Sequence, residues 1–163
     1  MPVDTNPRLA AALSYLALGW SVFPAHSIGA DGLCSCPKSG CTDAGKHPRL
    51  ATWTRWQHER PSAAQLRQWW ATWPTANVAI ATGALSGLVV VDIDPRHGGD
   101  VSALEFNFPA TITALTGGGG EHYYYAHPGG HVSNRSGRGA LAPGIALRGD
   151  GGYVIAPPSN HAS

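Results

Sequence analysis

Charge is scarce in this chain. Asp, Glu, Lys and Arg make up 13% of its residues, and the formal net charge is +1. So weak a field announces no polyanionic partner at long range; binding to one has to rest on a local patch. Long apolar runs are also missing, and none approaches the roughly 18 residues of a membrane-spanning helix. The first residues lack the basic segment and apolar stretch of a secretory signal peptide. Cysteine is rare: there are 3, crowded between positions 34 and 41. An odd number so placed is no secreted disulfide framework, and a soluble cytoplasmic protein is the expectation.

What is present is apolar and rich in turns. Hydrophobic residues reach 43%, with 21 Gly and 13 Pro, which describes a globular, loop-rich α+β or α/β protein. A length of 163 residues suits one domain with its own core, spanning residues 1–163. Asn6-Pro7 predicts a helix start, with Leu9, Leu13 and Leu16 as its buried stripe and Gly19 as its stop. Trp20 to Phe23 reads as a short strand ended by Pro24. Ser62-Ala-Ala-Gln65 matches a capping box, and Leu66, Trp69, Trp70 and Trp73 then share one helical face that reads as core. Strands are expected at 77–81, 88–94, 111–115 and 122–126, with a third helix after Asp100 carrying Ala103, Leu104 and Phe106. A polar loop at 127–143 holds His127, His131, Arg135 and Arg138 and no acid. Strands at 145–148 and 153–155 follow, joined across Gly149-Asp-Gly-Gly152 as a hairpin.

Four groups of residues carry chemistry. Leu88 to Ile93 is an apolar strand that ends in Asp92 and Asp94. Strand side chains alternate, so both carboxylates project to one face, about 7 Å apart along the backbone and within reach of shared divalent cations. A strand that merely ends in an acidic turn, continued by Pro95-Arg-His-Gly-Gly, explains the pair equally well. Cys34, Cys36, Cys41 and His47 make a complete tetrahedral zinc set in a stretch with no other means of ordering itself, with His26 competing for the fourth place. Such a site is closed and structural.

The third group is Thr116 followed by Gly117 to Gly120, Glu121 and His122. Glycines let backbone N–H groups approach a phosphate, although most such runs are only flexible turns and a lone strand-edge histidine is usually structural. The fourth runs from Gly144 to Ser159. Arg148 suits a phosphate, and Asp150 is either a third metal carboxylate or simple turn chemistry. Together these parts suit a polyanionic nucleotide.

Taken in order, Gly19 to Pro24, Gly45 to Pro48, Asn77 to Gly83, Ser86 to Asp94, Thr116 to His122 and Arg148 to Ser159 resemble the bifunctional DNA primase/polymerase domain, the prim-pol modules of the archaeo-eukaryotic primase superfamily. The co-linear set spans nearly the whole chain. The resemblance implies a primase/polymerase fold: an RRM-like mixed or antiparallel sheet core flanked by helices, with a small zinc-binding insertion at about 31–50. It implies two-metal transfer of an NTP or dNTP to a 3′-hydroxyl on a single-stranded DNA template, in replication, with Mg²⁺ or Mn²⁺. Asp92 and Asp94 match the first motif, and Gly120-Glu121-His122 the second, with glycine where serine is common. The third motif usually places an acid where this chain has Ala146; either Asp150 substitutes or that carboxylate is absent.

The catalytic candidates are therefore Asp92, Asp94, His122 and Asp150, and the nucleotide contacts Gly119, Gly120, Arg135 and Arg148. Asp92 and Asp94 are the ligands for Mg²⁺ or Mn²⁺; Cys34, Cys36, Cys41 and His47 are those for Zn²⁺. Family members usually continue beyond the position of Ser163 and often add a helicase, so a C-terminal truncation and a helicase in cis or trans belong to the expectation. Two alternatives stay open. One is a catalytically degenerate or truncated prim-pol that binds nucleotide or single-stranded DNA, and the other a phosphodiesterase using the same acids.

Overall fold

Two side-chain caps start the two helices. Asn6 Oδ1 accepts from Arg8 N and Leu9 N, with Pro7 opening α1 (Pro7–Ala17). Ser62 Oγ accepts from Gln65 N to open α2 (Ala63–Thr72). The computed structural model describes residues 5–163, and its helices both lie against a three-stranded antiparallel sheet. That sheet is ordered β1 (Ser21–Ala25), β2 (Asn77–Ala81), β7 (Tyr153–Ala156). Leu66, Trp69 and Trp70 are buried between helices and sheet, as their spacing predicts.

A second antiparallel sheet has the order β4 (Ile112–Leu115), β5 (Glu121–Ala126), β3 (Leu88–Ile93), β6 (Ile145–Arg148). The α+β class holds, with every pairing between the seven strands antiparallel and the strands divided between two sheets. One face of β3 carries Leu88 and Val90 into a core shared with Ile80, Val154 and Tyr124. The other face carries Val91 and Ile93 into a core with Val101, Leu104 and Phe108.

Three expectations change. β1 runs through Pro24, which is tolerated because β1 is an edge strand: Pro24 pairs with Val78 on one side, and its carbonyl accepts from Arg49 N on the other. The helix expected after Asp100 is one 3₁₀ turn at Val101–Ala103, after which the chain bends and Phe106 is 53% exposed. Between Gly98-Gly99 and Pro109 there are too few residues to sustain a helix, and Asp100 Oδ1 instead accepts from Ser102 N and Oγ.

Nor do β6 and β7 form a hairpin. β6 pairs with β3 and β7 with β2, so Gly149 to Gly152 carries the chain from one sheet to the other. No described helix is long and apolar enough to cross a membrane.

Candidate active site

The position that follows Val90 on the same face of β3 is Asp92. Across the four-stranded sheet it stands in a row: Ala114 opposite His122, His122 opposite Asp92, Asp92 opposite Ala146. The row faces a cleft of about 1100 Å³, whose walls include Asp94, Arg96, Gly117, Gly118 and Arg148.

Asp92 Oδ1 lies 3.4 Å from His122 Nε2, and its Oδ2 accepts from Arg148 Nη2 at 3.3 Å. Burial raises the Asp92 carboxyl, but His122 and Arg148 outweigh it and hold the group below its ordinary value. His122 is 8% exposed, and its Nδ1 is shut off from water with no hydrogen-bond partner among the described residues. A buried imidazole nitrogen without a partner costs free energy.

Asp94 sits just past the strand and caps a 3₁₀ turn at Pro95–His97. Its Oδ1 accepts from Arg96 N and Arg96 Nε, its Oδ2 from Arg96 Nη2, all at 3.0 Å, and His97 Nδ1 lies 3.0 Å from Oδ2. Arg96 above all keeps this carboxyl far below the usual carboxylate range. Each acid of the pair thus holds one arginine and one histidine.

The glycine run is the turn between β4 and β5. Gly119 N–H donates to Thr116 O and Gly120 N–H to Thr116 Oγ1, so both are spent inside the loop. A Cβ on Gly120 would stand 2.0 Å from Ile93 O, which makes that glycine a requirement of packing against β3. The cleft wall is formed instead by Gly117 and Gly118, neither of whose N–H groups has a described acceptor. Their position, two residues before the predicted pair, is set by how the turn closes.

Ala146 lies directly across from Asp92, so no carboxylate faces Asp92 from β6. Asp150 does not replace it. Its Oδ1 accepts from Ala84 N and its Oδ2 from Val132 N, with His127 Nε2 and His131 Nδ1 each 3.2 Å away. It borders a separate cavity of about 430 Å³ with Trp53, Gln57 and Thr82. Arg135 also turns elsewhere: its Nε donates to Gly139 O, while its backbone pairs with Leu147. Asn134 and Ser136 on either side of it do border the cleft.

Among the cleft residues that escaped the sequence reading are Arg96 and His161. Arg96 follows the acids inside what reads as a turn, and only the Pro95-fixed 3₁₀ geometry folds it back on Asp94. His161 lies against the glycine loop, where a Cβ on Gly117 would come 2.2 Å from the His161 Cβ. Its signal was the Pro-Pro-Ser-x-His segment itself.

The Cys34, Cys36, Cys41 and His47 ligand atoms gather within 4.8 Å of one another. A tetrahedral zinc with thiolates at about 2.3 Å needs them roughly 3.8 Å apart, so the set fits the ion with small adjustments. His26 is not the fourth ligand: its Nδ1 bonds Ser35 Oγ at 3.0 Å and its ring packs on that of His47. Burial acts to raise the Cys34 thiol, but the Gly45 and Cys36 N–H groups and His47 bring it down to about 6. A thiolate is what a zinc ligand must be. The Cys₃His cluster is compatible with structural zinc.

This insertion is joined to the cleft. Asn77, fully buried, donates through Nδ2 to Gly45 O and Asn160 O, and its Oδ1 accepts from Asn160 N. Asn160 in turn bonds both backbone groups of Ile28. Lys46, His47 and His161 all reach the cleft wall from this clamp.

A model of the family described as bifunctional DNA primase/polymerase, N-terminal, matches residues 12–163. No curated protein matches the chain.

Proposed function

This chain belongs to the bifunctional DNA primase/polymerase N-terminal family, and from that premise we propose that it is a nucleotidyltransferase, transferring an NTP or dNTP to a 3′-hydroxyl on a single-stranded DNA template. The observation that carries this reading is the row His122–Asp92–Ala146, with Asp94 beside it, on the wall of one cleft. At about 1100 Å³ the cleft exceeds the usual ~300–1000 Å³ of a small-molecule site, leaving room for a template strand beside a nucleotide.

Asp92 and Asp94 are the residues to hold Mg²⁺ or Mn²⁺. Two hard carboxylates without a third protein ligand suit a cation whose remaining positions are filled by water and substrate phosphate. Such a cation, when bound, supplies a lowered pKa for the attacking 3′-hydroxyl and a clamp on the pyrophosphate leaving group. The protein's own part is to orient. Arg148 is placed to leave Asp92 for a phosphate oxygen, and Gly117 and Gly118 offer N–H groups to the triphosphate. His122 turns its Nε2 to Asp92 and helps to fix the orientation of that carboxylate at the cleft wall. Asp150 and Arg135 have no part in this reading.

The test is primer extension on single-stranded template with Mn²⁺ or Mg²⁺. Asp92→Ala should lower the rate at least ~100-fold while the protein still melts cooperatively. Extension that survives this substitution would sink the proposal. A second reading, a nucleotide- or DNA-binding module without turnover, is favoured by one observation: Ala146 opposite Asp92. Saturable nucleotide binding with no extension, in protein of either metal, would select it.

A further inference from the structure

Arg96 holds the second acid in a way that Arg148 does not hold the first. It grips Asp94 through three donors, backbone N, Nε and Nη2, each at 3.0 Å, whereas Arg148 gives Asp92 one contact at 3.3 Å. The Arg96 side chain is 45% exposed, so its guanidinium is not trapped by packing. It also lies flush on the glycine loop, since a Cβ on Gly118 would come 2.4 Å from Arg96 Cζ. One planar group therefore spans from a candidate metal carboxylate to the loop assigned to the triphosphate, and both Asp94 and Asp92 attract its charge.

Resting on the reading of the cleft given above, we propose that Arg96 is an exchangeable counter-ion: it occupies Asp94 until a divalent cation arrives with nucleotide, then transfers its guanidinium to the triphosphate. Two cations cannot share the same carboxylate lone pairs, so a divalent ion arriving alone must displace Arg96 without return. An ion arriving with a triphosphate offers the displaced guanidinium a better partner a short rotation away, on the loop it already touches. Cation and nucleotide affinities are then coupled, and the coupling is reciprocal. The backbone bond from Arg96 N to Asp94 keeps the turn in place while the side chain moves. Arg96 is by this account a positioning residue for the empty site and a phosphate contact in the filled one.

The experiment is a Mn²⁺ titration of the metal-free cleft, read by the electron paramagnetic resonance of free Mn²⁺. It is paired with binding of Mn²⁺ and a dNTP whose α–β bridging oxygen is replaced by nitrogen. Arg96→Ala should bind Mn²⁺ alone roughly fivefold more tightly than wild type, the loss of an exposed ion pair's competition. The same variant should bind the Mn²⁺–nucleotide complex more weakly, about tenfold. Arg96→Lys, which keeps the charge and loses the fork, should fall between on both readouts. If wild type binds Mn²⁺ and nucleotide but Arg96→Ala binds Mn²⁺ no tighter, the exchange is overturned and the reading of the cleft stands. If wild type binds neither, or Asp94→Asn leaves Mn²⁺ binding intact, both readings fall.

Discussion

The Cys₃His insertion and the carboxylate pair are both candidate metal sites, and they are built on opposite plans. The insertion gathers three sulfurs and an imidazole within 4.8 Å, with backbone groups, one another and the His26 ring as their neighbours and no charged side chain among the described residues bonded to them. The carboxylates are each already engaged by an arginine and a histidine. A thiolate has few good partners in a protein other than a soft cation, so a site of thiolates is closed and committed. A carboxylate pairs readily with guanidinium, so its ligands can be exchanged while the fold stays in place. The difference suits a structural ion in the first region and a transient one in the second.

The most damaging way to break that comparison is to remove the closed site. Replacing Cys36 and Cys41 with alanine should abolish about one equivalent of bound zinc and lower the melting temperature by about 10 °C. Because Asn77 and Asn160 tie the insertion to the cleft wall, nucleotide affinity should fall with it. Zinc analysis, thermal melting and nucleotide binding check this, and protein that folds normally without zinc would refute it.

The open site is sharpened by completing it. Ala146→Asp puts a carboxylate directly across from Asp92 and should raise the primer-extension rate about tenfold or more. No gain would mean that two carboxylates suffice.

The smallest effect is expected at Asp150, outside either site. Asp150→Asn should cost about 1–2 kcal/mol in chemical denaturation at neutral pH and leave nucleotide binding unchanged. The Val132 N–H above all, then Ala84 N–H, His127 and His131, hold this carboxyl below its ordinary value against a small opposing effect of burial. Its stabilisation is therefore complete above the unfolded value of about 3.9 and is lost as pH falls through the lower folded value. The variant should show a shallower loss of stability in that acid range. A loss of nucleotide binding would return Asp150 to the active site.

Where the sequence was legible, the governing physics was short-range. Asn6 and Ser62 cap their helices within three residues, and the tryptophan face of α2 follows from helical period alone. The spacing of Cys34, Cys36, Cys41 and His47 reads as a candidate zinc set because three thiolates and an imidazole complete a tetrahedral shell. Asp92 and Asp94 stood out because a buried strand seldom ends in unpaired charge. The misreadings fell where local signals were ambiguous. Ala103, Leu104 and Phe106 suggest a helix after Asp100, yet the segment is bounded by glycines and Pro109, and after one 3₁₀ turn it lays Val101, Leu104 and Phe108 on the sheet. Gly149 to Gly152 has hairpin composition, but its flanking strands find better partners in β3 and β2.

The sequence by itself determined the two helices α1 and α2, most of the strands, the Cys₃His set and the acidic pair, because each is written in residue spacing over a few positions. Only the tertiary structure decided which groups meet. Strand register set Ala146 opposite Asp92, and the crossing between sheets carried Asp150 away to Ala84 and Val132. A proline-fixed turn folded Arg96 back on Asp94. Those outcomes depend on pairings between residues distant in the chain or on the exact closure of a turn, and no local pattern encodes either.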